Sequence, residues 1–559
     1  MKRAAANFLV FRDSKELLNL RSEWNRIQEL VRHADSSSES ALEALLRAAD
    51  VECGLADISD NAAYEAEKVT DRLAALHVQP GSRKVLADAN AILRHQVPTV
   101  SEIAVSRPEG FSYYGLHPDS FAQCTYPSAK TFAIVGIRSV GVILSAITSA
   151  VLTARGQKAE RITVRPIGDP YDRTVKLSDS ESKWVISQTG AEAHFLVVDE
   201  GPGLSGSSFL SVGDALTGLG ASPDRITFVG TRVADPTTLC ARDAAVRWHR
   251  FGWQKAPDFF QCPPNAEFIG EGKWRSRLLP ASTEWPASWL NMERTKFLCH
   301  DGREFLKFDG LGRYGRAVLQ RNRLIHDNGF GVPLLDNRDG VSTYERIVGS
   351  PLSAADLNSD CLQQLAKYCA FRSCSFAAPT QSATLLAEMT RHNVREELGI
   401  ELELSVNDLD SDQPVITDGK MQPWEWLRDG VGRFIKTDAG THGDDHFYPG
   451  PTDIAWDLAG TIVEWNLDEK SAGIFLEQFR RNGGRTDAAR LHSFLVAYCA
   501  FRVGYCRMAA AALQDPVEQI RFAKAANFYR NRLVEEVGFV TSPSRRKVDS
   551  QEGVQQLPR

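Results

Sequence analysis

Four groups of residues have the types and spacing to do chemistry. The first is Asp199-Glu200, two carboxylates that follow the apolar run 195–198 and precede the hydroxyl-rich turn Ser205-Gly206-Ser207-Ser208. An apolar run, a tight glycine loop and helical spacing from Leu210 to Leu219 predict a buried strand, a turn and a helix N-terminus. Backbone N–H groups at such a terminus favour a phosphate at 205–208, and acids at the strand end suit sugar hydroxyls or a metal ion. A ribose phosphate satisfies both demands. The second group is Gly136-Ile137-Arg138-Ser139-Val140-Gly141, another strand-to-helix turn, in which Arg138 can add charge. The third is Lys307, set between Leu306 and Phe308; a lysine with apolar neighbours on a strand pairs with a carboxylate or a phosphate. The fourth is His442-Gly443-Asp444-Asp445-His446. Its histidines lie four apart, but no helical pattern runs toward Pro449-Gly450, so a polar loop is expected rather than a dedicated metal site.

The elements that must position these residues alternate. Strands are predicted at 132–136, 161–164, 195–198 and 226–229, with helices at 141–154 and after Ser208. That rhythm describes a doubly wound parallel sheet whose ligand lies outside the carboxyl ends of its strands. The loop 163–173 carries Arg165 and Arg173 and is placed to cover such a ligand. Gly201-x-Gly203-x-x-Gly206 also matches a dinucleotide fingerprint. The fingerprint expects an acid at the end of the next strand, yet residues 225–232 end in Thr231-Arg232. An NADP-binding enzyme, with Arg232 as a contact, therefore stays open as a competing reading. Further on, 296–298 and 304–308 flank Asp301-Gly302 and predict a hairpin.

The chain has 559 residues, 43% apolar and 24% charged, which describes a soluble globular protein of two to four domains. A net charge of −6 supplies no global attraction to nucleic acid or to an anionic membrane. The ten cysteines form no C-x-x-C pair, as expected of reduced thiols in a cytoplasmic protein. The apolar run near Met1 is too short for a signal peptide. The best membrane candidate, 131–152, contains Arg138 and is better read as a buried strand and helix.

The stretch around Asp199-Glu200 resembles the ribose 5-phosphate signature of type I phosphoribosyltransferases: apolar strand, acidic pair, short spacer, then Ser-Gly-x-Ser. It departs in one respect, since the spacer 201–204 is one residue longer than usual if Asp199 is the first acid. The resemblance implies a phosphoribosyl diphosphate co-substrate with Mg2+, displacement at its anomeric carbon, and a pyrophosphate loop at Gly136, Arg138, Ser139 and Gly141. Asp199 and Glu200 then carry the catalytic role, and Ser205, Gly206, Ser207 and Ser208 hold the 5-phosphate.

The C-terminal half resembles the aminoglycoside-phosphotransferase and choline-kinase-like kinases. Glu345-Arg346-x-x-Gly349-x-Pro351-Leu352 resembles their hinge strand, 433–438 their strand ending in a metal-binding Asp, and Asp457-Leu458-Ala459 a later structural motif. The resemblance implies Asp418 as base, Asp438 as metal ligand, Gln422 or Glu425 in place of a metal-binding Asn, and Lys307 on the phosphates of ATP. A second alignment puts the base at Asp444, where His-Gly-Asp-x-His matches letter for letter. Only eight residues then lie between Asp444 and Asp453, too few for the intervening hairpin.

The expected organisation is a multi-domain α/β and α+β chain. A helical N-terminal region (1–105) precedes a phosphoribosyltransferase-like parallel-sheet domain (106–255) and a linker (256–292). A kinase-like domain (293–541) and a flexible tail (542–559) follow. The expected function is transfer of ribose 5-phosphate to a small-molecule acceptor, with a C-terminal ATP-dependent small-molecule kinase. A sensor that binds phosphoribosyl diphosphate or a nucleotide without turnover is the alternative.

Overall fold

The structure is a computed structural model that describes residues 7–13, 15–34, 38–95, 100–232, 235–280 and 284–541. The loop expected at 36–38 and the tail expected at 542–559 fall wholly or largely outside the described residues.

Near the N-terminus, β1 (Lys15–Asn19) pairs antiparallel with β2 (Glu102–Ser106). Between them run α1 (Leu20–His33), α2 (Ser38–Ala56), α3 (Asp60–Val78) and α4 (Arg83–His95). Within the region expected to be helical the first helix starts only at Leu20, where Asn19 caps it by accepting from the Ser22 N–H. The preceding residues 8–11 do not belong to this region. Phe8 and Val10 are buried in the core of the C-terminal half, and the Leu9 N–H donates to Asn393 Oδ1 at 2.9 Å.

The parallel sheet consists of β3 (Thr131–Ile137), β4 (Lys158–Val164), β5 (His194–Val198), β6 (Ile226–Gly230) and β7 (Gly252–Lys255), in the order β4-β3-β5-β6-β7. Alternating residues feed two cores. Phe132, Ile134, Leu196 and Val198 pack with α5 (Val140–Ala154) and the helical region. Ala133, Val135, Phe195 and Val197 face α6 (Asp179–Gly190) and α7 (Ser207–Gly218). The stretch 131–152 is therefore a buried strand and helix, as its Arg138 and glycines require. A Cβ on Gly141 would stand 2.6 Å from the Val198 carbonyl oxygen, so the close approach of α5 to β5 depends on that glycine.

Basic side chains on the sheet tie it to α2 and α3. The buried Arg161 forks onto Glu52 at 2.7 and 2.9 Å, and Arg165 onto Asp57 at 3.0 and 2.6 Å.

The C-terminal half begins earlier than its sequence suggests. Within the expected linker, β8 (Ala266–Phe268) joins β9 (Lys296–Cys299), β10 (Glu304–Phe308), β11 (Leu334–Arg338) and β12 (Val341–Glu345) in an antiparallel sheet ordered β11-β12-β10-β9-β8. Arg275, also in that stretch, forks onto Glu518 at 3.0 and 2.6 Å. The hairpin expected at Asp301-Gly302 is the β9–β10 connection. Helix α8 (Arg313–Asp327) follows, and β13 (Gly349–Pro351), β14 (Trp426–Asp429) and β15 (Phe434–Lys436) form a second small sheet.

A helical body completes this half: α9 (Ser359–Ser375), α10 (Thr384–Leu398), α11 (Ala455–Glu464), α12 (Glu469–Arg481), α13 (Ala488–Ala512) and α14 (Pro516–Thr541). Among the described residues α13 alone is long and apolar enough to cross a membrane, but two thirds of its apolar window is buried against its neighbours. It is built as a core helix.

Replacing Gly141 by Ala should force α5 away from β5 and cost about 1–3 kcal/mol by overpacking. Thermal unfolding followed by circular dichroism should show a lower midpoint for Gly141→Ala than for Gly473→Ala, a helical glycine with open space around it.

Candidate functional site

A cleft of about 350 Å³ opens between the antiparallel sheet and the helical body. Alternation along β10 points Phe305 and Lys307 into it, while Leu306 packs on the other face with Phe297 and Cys299. The turn after β15 brings Asp438 to meet Lys307. The Lys307 ammonium donates to Asp438 Oδ1 at 2.6 Å and to Thr441 Oγ1 at 3.1 Å. His442 Nε2 lies 3.0 Å from the other oxygen, Oδ2. Burial raises the Asp438 pKa, but Lys307 and His442 outweigh it and hold the carboxyl well below its usual range. Burial likewise pulls Lys307 down, against the opposing pull of Asp438 and Asp309. Lys307 and Asp438, expected from the sequence to act on one ligand, are thus in direct contact.

Gln422 also lines this cleft. Its amide donates to Glu464 Oε1 at 3.1 Å, and its own Oε1 is buried without a partner. An orphaned amide oxygen beside a cleft that also contains the Asp438 carboxylate suits a hard cation that keeps most of its waters, as Mg2+ does. Glu425, the alternative considered for that role, lines the cleft too, 3.9 Å from Lys436.

Asp418 is placed otherwise than the kinase resemblance implies. It is 1% exposed and does not line the cleft. It accepts a very short hydrogen bond from Tyr368, and stands 3.4 Å from Lys436 and 3.7 Å from Arg372. Asp457, in the Asp-Leu-Ala motif, secures the same loop by accepting the N–H groups of Asp418 and Gly419 at 2.8 and 3.0 Å. The next two residues of this loop, Gly419 and Lys420, do line the cleft. In this structure Asp418 thus serves as the anion of a buried network and is closed off from the cleft. The physical reason is the cationic pair Arg372 and Lys436, which the fold buries and must neutralise.

Asp444, the base of the second alignment, is engaged as well. It binds Arg321 at 2.9 Å and Arg107 at 3.3 Å, and although burial raises its pKa these arginines bring it down to about 2. His446 is held by aromatic neighbours. Its Nε2 meets the Tyr114 hydroxyl at 2.8 Å, and its ring stacks on Phe11.

A second cavity, of about 1530 Å³, lies at the carboxyl ends of the parallel strands. Glu200 after β5, Thr231 and Arg232 after β6, and Lys255 at the end of β7 line it, as expected for an open α/β sheet. Glu200 sits 3.8 Å from Arg232, and burial first, then Glu109, raise its pKa to about 7 against the pull of Arg232. Asp199 lies deeper: its Oδ1 accepts from the Glu200 N–H at 2.8 Å, and burial holds its pKa well above the ordinary carboxylate range.

Other residues implicated in phosphoribosyl binding are turned elsewhere. The Ser205 and Ser207 hydroxyls both donate to the Pro170 carbonyl, at 2.8 and 2.7 Å, so the loop expected to cover a ligand is bonded to the turn itself. Gly206 and Ser208 complete that turn, yet only its neighbours Pro202, Gly203 and Leu204 line the cavity. Arg138 points away from both cavities, donating to the Ala56 and Thr163 carbonyls at 3.0 and 2.8 Å. Gly136, Ser139 and Gly141 line neither cavity; the two glycines are required by strand–helix packing, and Ser139 precedes α5 without a side-chain cap. Arg232, considered as a nucleotide contact, is held instead between Glu200 and the ring of Tyr114.

Sequence reasoning missed the aromatic and cationic wall of the cleft, which includes Tyr113, Tyr114, Trp289, Arg294 and Tyr505. Its members come from four separate stretches of chain, so no local pattern marks them.

No family model and no curated protein sequence matches the chain. Solved structures similar to it include the choline kinase LicA from Streptococcus pneumoniae, 13% identical, covering 46% of this chain and 97% of that one, with a TM-score of 0.32. Another is the macrolide 2'-phosphotransferase MphH from Brachybacterium faecium, at 16% identity, 42% and 88% coverage and a TM-score of 0.29. A third is the spectinomycin phosphotransferase APH(9)-Ia in complex with ADP and spectinomycin, at 15% identity, 49% and 92% coverage and a TM-score of 0.33.

Asp418→Ala should behave as a stability mutation. Leaving Arg372 and Lys436 without their anion should cost about 3–5 kcal/mol, read as a lower urea midpoint, whereas Lys420→Ala on the same loop should unfold near the wild-type midpoint. Glu200 predicts a pH effect. Its folded pKa is raised, so its contribution is complete below the unfolded value near 4.5 and is lost as pH rises through about 7. Glu200→Gln should therefore gain about 1–3 kcal/mol relative to wild type at pH 8 and nothing at pH 4, measured as melting temperature against pH.

Proposed function

We propose that this chain is an ATP-dependent small-molecule phosphotransferase whose C-terminal cleft binds the nucleotide with magnesium. The observation that carries the reading is the contact between the buried Lys307 and Asp438 at the wall of that cleft. A polyphosphate entering there would meet the ammonium of Lys307, while Asp438 and the orphaned oxygen of Gln422 would hold the metal, which neutralises charge on the transferring group. In the transfer the bond from the terminal phosphorus to its bridging oxygen breaks as a new one forms to an acceptor hydroxyl. ADP leaves, and the hydroxyl proton passes to a base or to solvent. Phosphoryl transfer depends mainly on positioning and charge stabilisation. That suits a loop that lines the cleft with Gly419 and Lys420 and buries Asp418.

A second activity is supported by one specific feature. Glu200, with a proton affinity poised near neutrality, shares the larger cavity with Arg232 and Thr231 at the strand ends. With the Ser-Gly-Ser-Ser signature, this favours a phosphorylated ribose as the ligand of the parallel sheet and transfer from phosphoribosyl diphosphate as its chemistry. Binding of that diphosphate would need the Ser205 and Ser207 hydroxyls to exchange the Pro170 carbonyl for phosphate oxygens.

Titration calorimetry with ATP and Mg2+, followed by a phosphotransfer screen over small hydroxylated metabolites, tests the first reading. Lys307→Met and Asp438→Asn should each lower transfer by roughly 100-fold or more, assayed at a temperature where circular dichroism shows the variant folded, since each removes a charge that acts on the transferring group. Wild-type protein that binds no nucleotide would refute it. Release of diphosphate from phosphoribosyl diphosphate, lost in Glu200→Ala, tests the second.

A further inference from the structure

The two cavities share a wall. Tyr114, Met292, Glu293 and Arg294 line both. Three of these have their polar groups engaged. The Tyr114 hydroxyl reaches His446 and Met292 Sδ at 2.8 and 3.2 Å. Glu293 accepts from the Gly272 N–H and the Trp274 indole and pairs with Lys296 at 3.6 Å.

Arg294 differs. It is 7% exposed, and among the described residues no carboxylate lies within 4 Å of it. Its guanidinium donates only to two neutral carbonyls, of Ser112 at 3.1 Å and Thr441 at 3.0 Å, and lies 5.1 Å over the ring of Tyr113. Elsewhere in this protein buried arginines stand against carboxylates: Arg161 on Glu52, Arg275 on Glu518, Arg372 near Asp418 and Asp457. A guanidinium largely removed from water without an anion is costly, and this one faces both cavities. Two further polar atoms close by are buried without a partner, Ser112 Oγ and His446 Nδ1. Arg294 also grips Thr441 by its carbonyl, while Lys307 holds the hydroxyl of the same residue, so an anion on Arg294 would lie next to the Lys307–Asp438 pair.

We propose that Arg294 is the binding site for a phosphate group of the acceptor. The molecule phosphorylated in the cleft is then itself a phosphate monoester of a small polyol or sugar, anchored at the junction by its existing phosphate with a hydroxyl directed toward Asp438. This rests on the phosphotransferase reading of the cleft and specifies its substrate class. It also assigns a place in a reaction sequence, because a reaction that makes or releases a sugar phosphate must supply the acceptor. Planar guanidinium groups favour phosphate by two-point bonding. Tyr114 and His446 offer partners for hydroxyls.

Ribose 5-phosphate is the probe, ribose the uncharged control, and ATP with Mg2+ the separate reporter of the nucleotide site. Calorimetry on the full chain should detect ribose 5-phosphate but not ribose. Arg294→Gln should weaken the sugar phosphate by about tenfold or more, the loss of a charge-assisted hydrogen bond, and leave ATP affinity within about twofold. Should Arg294→Gln fold poorly, Arg294→Lys replaces it: the rise in melting temperature that ribose 5-phosphate, and not ribose, gives the wild type should shrink in this variant, which keeps the charge and loses the two-point geometry, and should persist in Glu200→Ala. No rise and no heat with ribose 5-phosphate overturns the proposal. So does equal binding by Arg294→Gln, or a parallel loss of ATP affinity, which would assign the guanidinium to the nucleotide. Sugar-phosphate binding at Arg294 in a protein that binds no ATP would leave the anion site standing and remove only the kinase reading.

Discussion

An ammonium group removed from water must have an anion at hand, and Lys307 has Asp438. Neither residue's own element can provide the other. β10 projects the lysine from the antiparallel sheet, and the turn after β15 projects the aspartate from the opposite side of the cleft. The attraction that makes each buried charge tolerable therefore sets the distance between sheet and helical body, and with it the width of the cleft. His442 and Thr441 extend the arrangement by one hydrogen bond each, so the carboxylate is aimed as well as neutralised.

Around that pair the protein manages a dense set of buried charges, most of them, though not Arg294, by a defined partner of opposite sign. Asp418, Asp457, Arg372 and Lys436 form one closed network beneath the cleft, and Asp444 with Arg107 and Arg321 forms another beside it. Such networks contribute little net stability relative to apolar packing but are expensive to break. Here they fix the loops that border the site. The larger cavity follows the same logic with fewer cations. Burial raises the proton affinities of Asp199 and Glu200, Glu109 adds to the rise, and Arg173 beside Asp199 and Arg232 beside Glu200 offset only part of it.

What the sequence disclosed and what it withheld follow from how local each signal is. The parallel strands, the turn at 199–208 and the hairpin at Asp301-Gly302 could be read because apolar periodicity and glycine turns act within a few residues. Lys307 was legible for the same reason, as a lone charge in an apolar strand. Asp418 was not, because two residues decide whether Asp418 or Lys420 faces the cleft, and the decision is made by Arg372 and Lys436 from other elements. The glycines at 136 and 141 suggested a phosphate loop, yet helix–strand packing alone accounts for them. Arg138 lost its implied role to carbonyls on α2 and β4. Arg294 offered no local signal: its meaning lies in the absence of a neighbouring acid, which only three dimensions can reveal. The linker was misjudged because Pro and Trp punctuate a segment that nonetheless supplies the edge strand β8.

The first described residues give the architecture a consequence of their own. Phe8 and Val10 are core residues of the half completed last, Arg12 bonds to the backbone near His446, and the ring of Phe11 lies flat against that histidine. These first described residues are thus stitched to parts of the chain as far as 435 positions away. A fragment cut at the obvious boundary near residue 293 would lack a piece of its own interior, so the two halves are not separable modules in series. During synthesis this leading segment must wait, unpaired and apolar, until the distant helices emerge to enclose it.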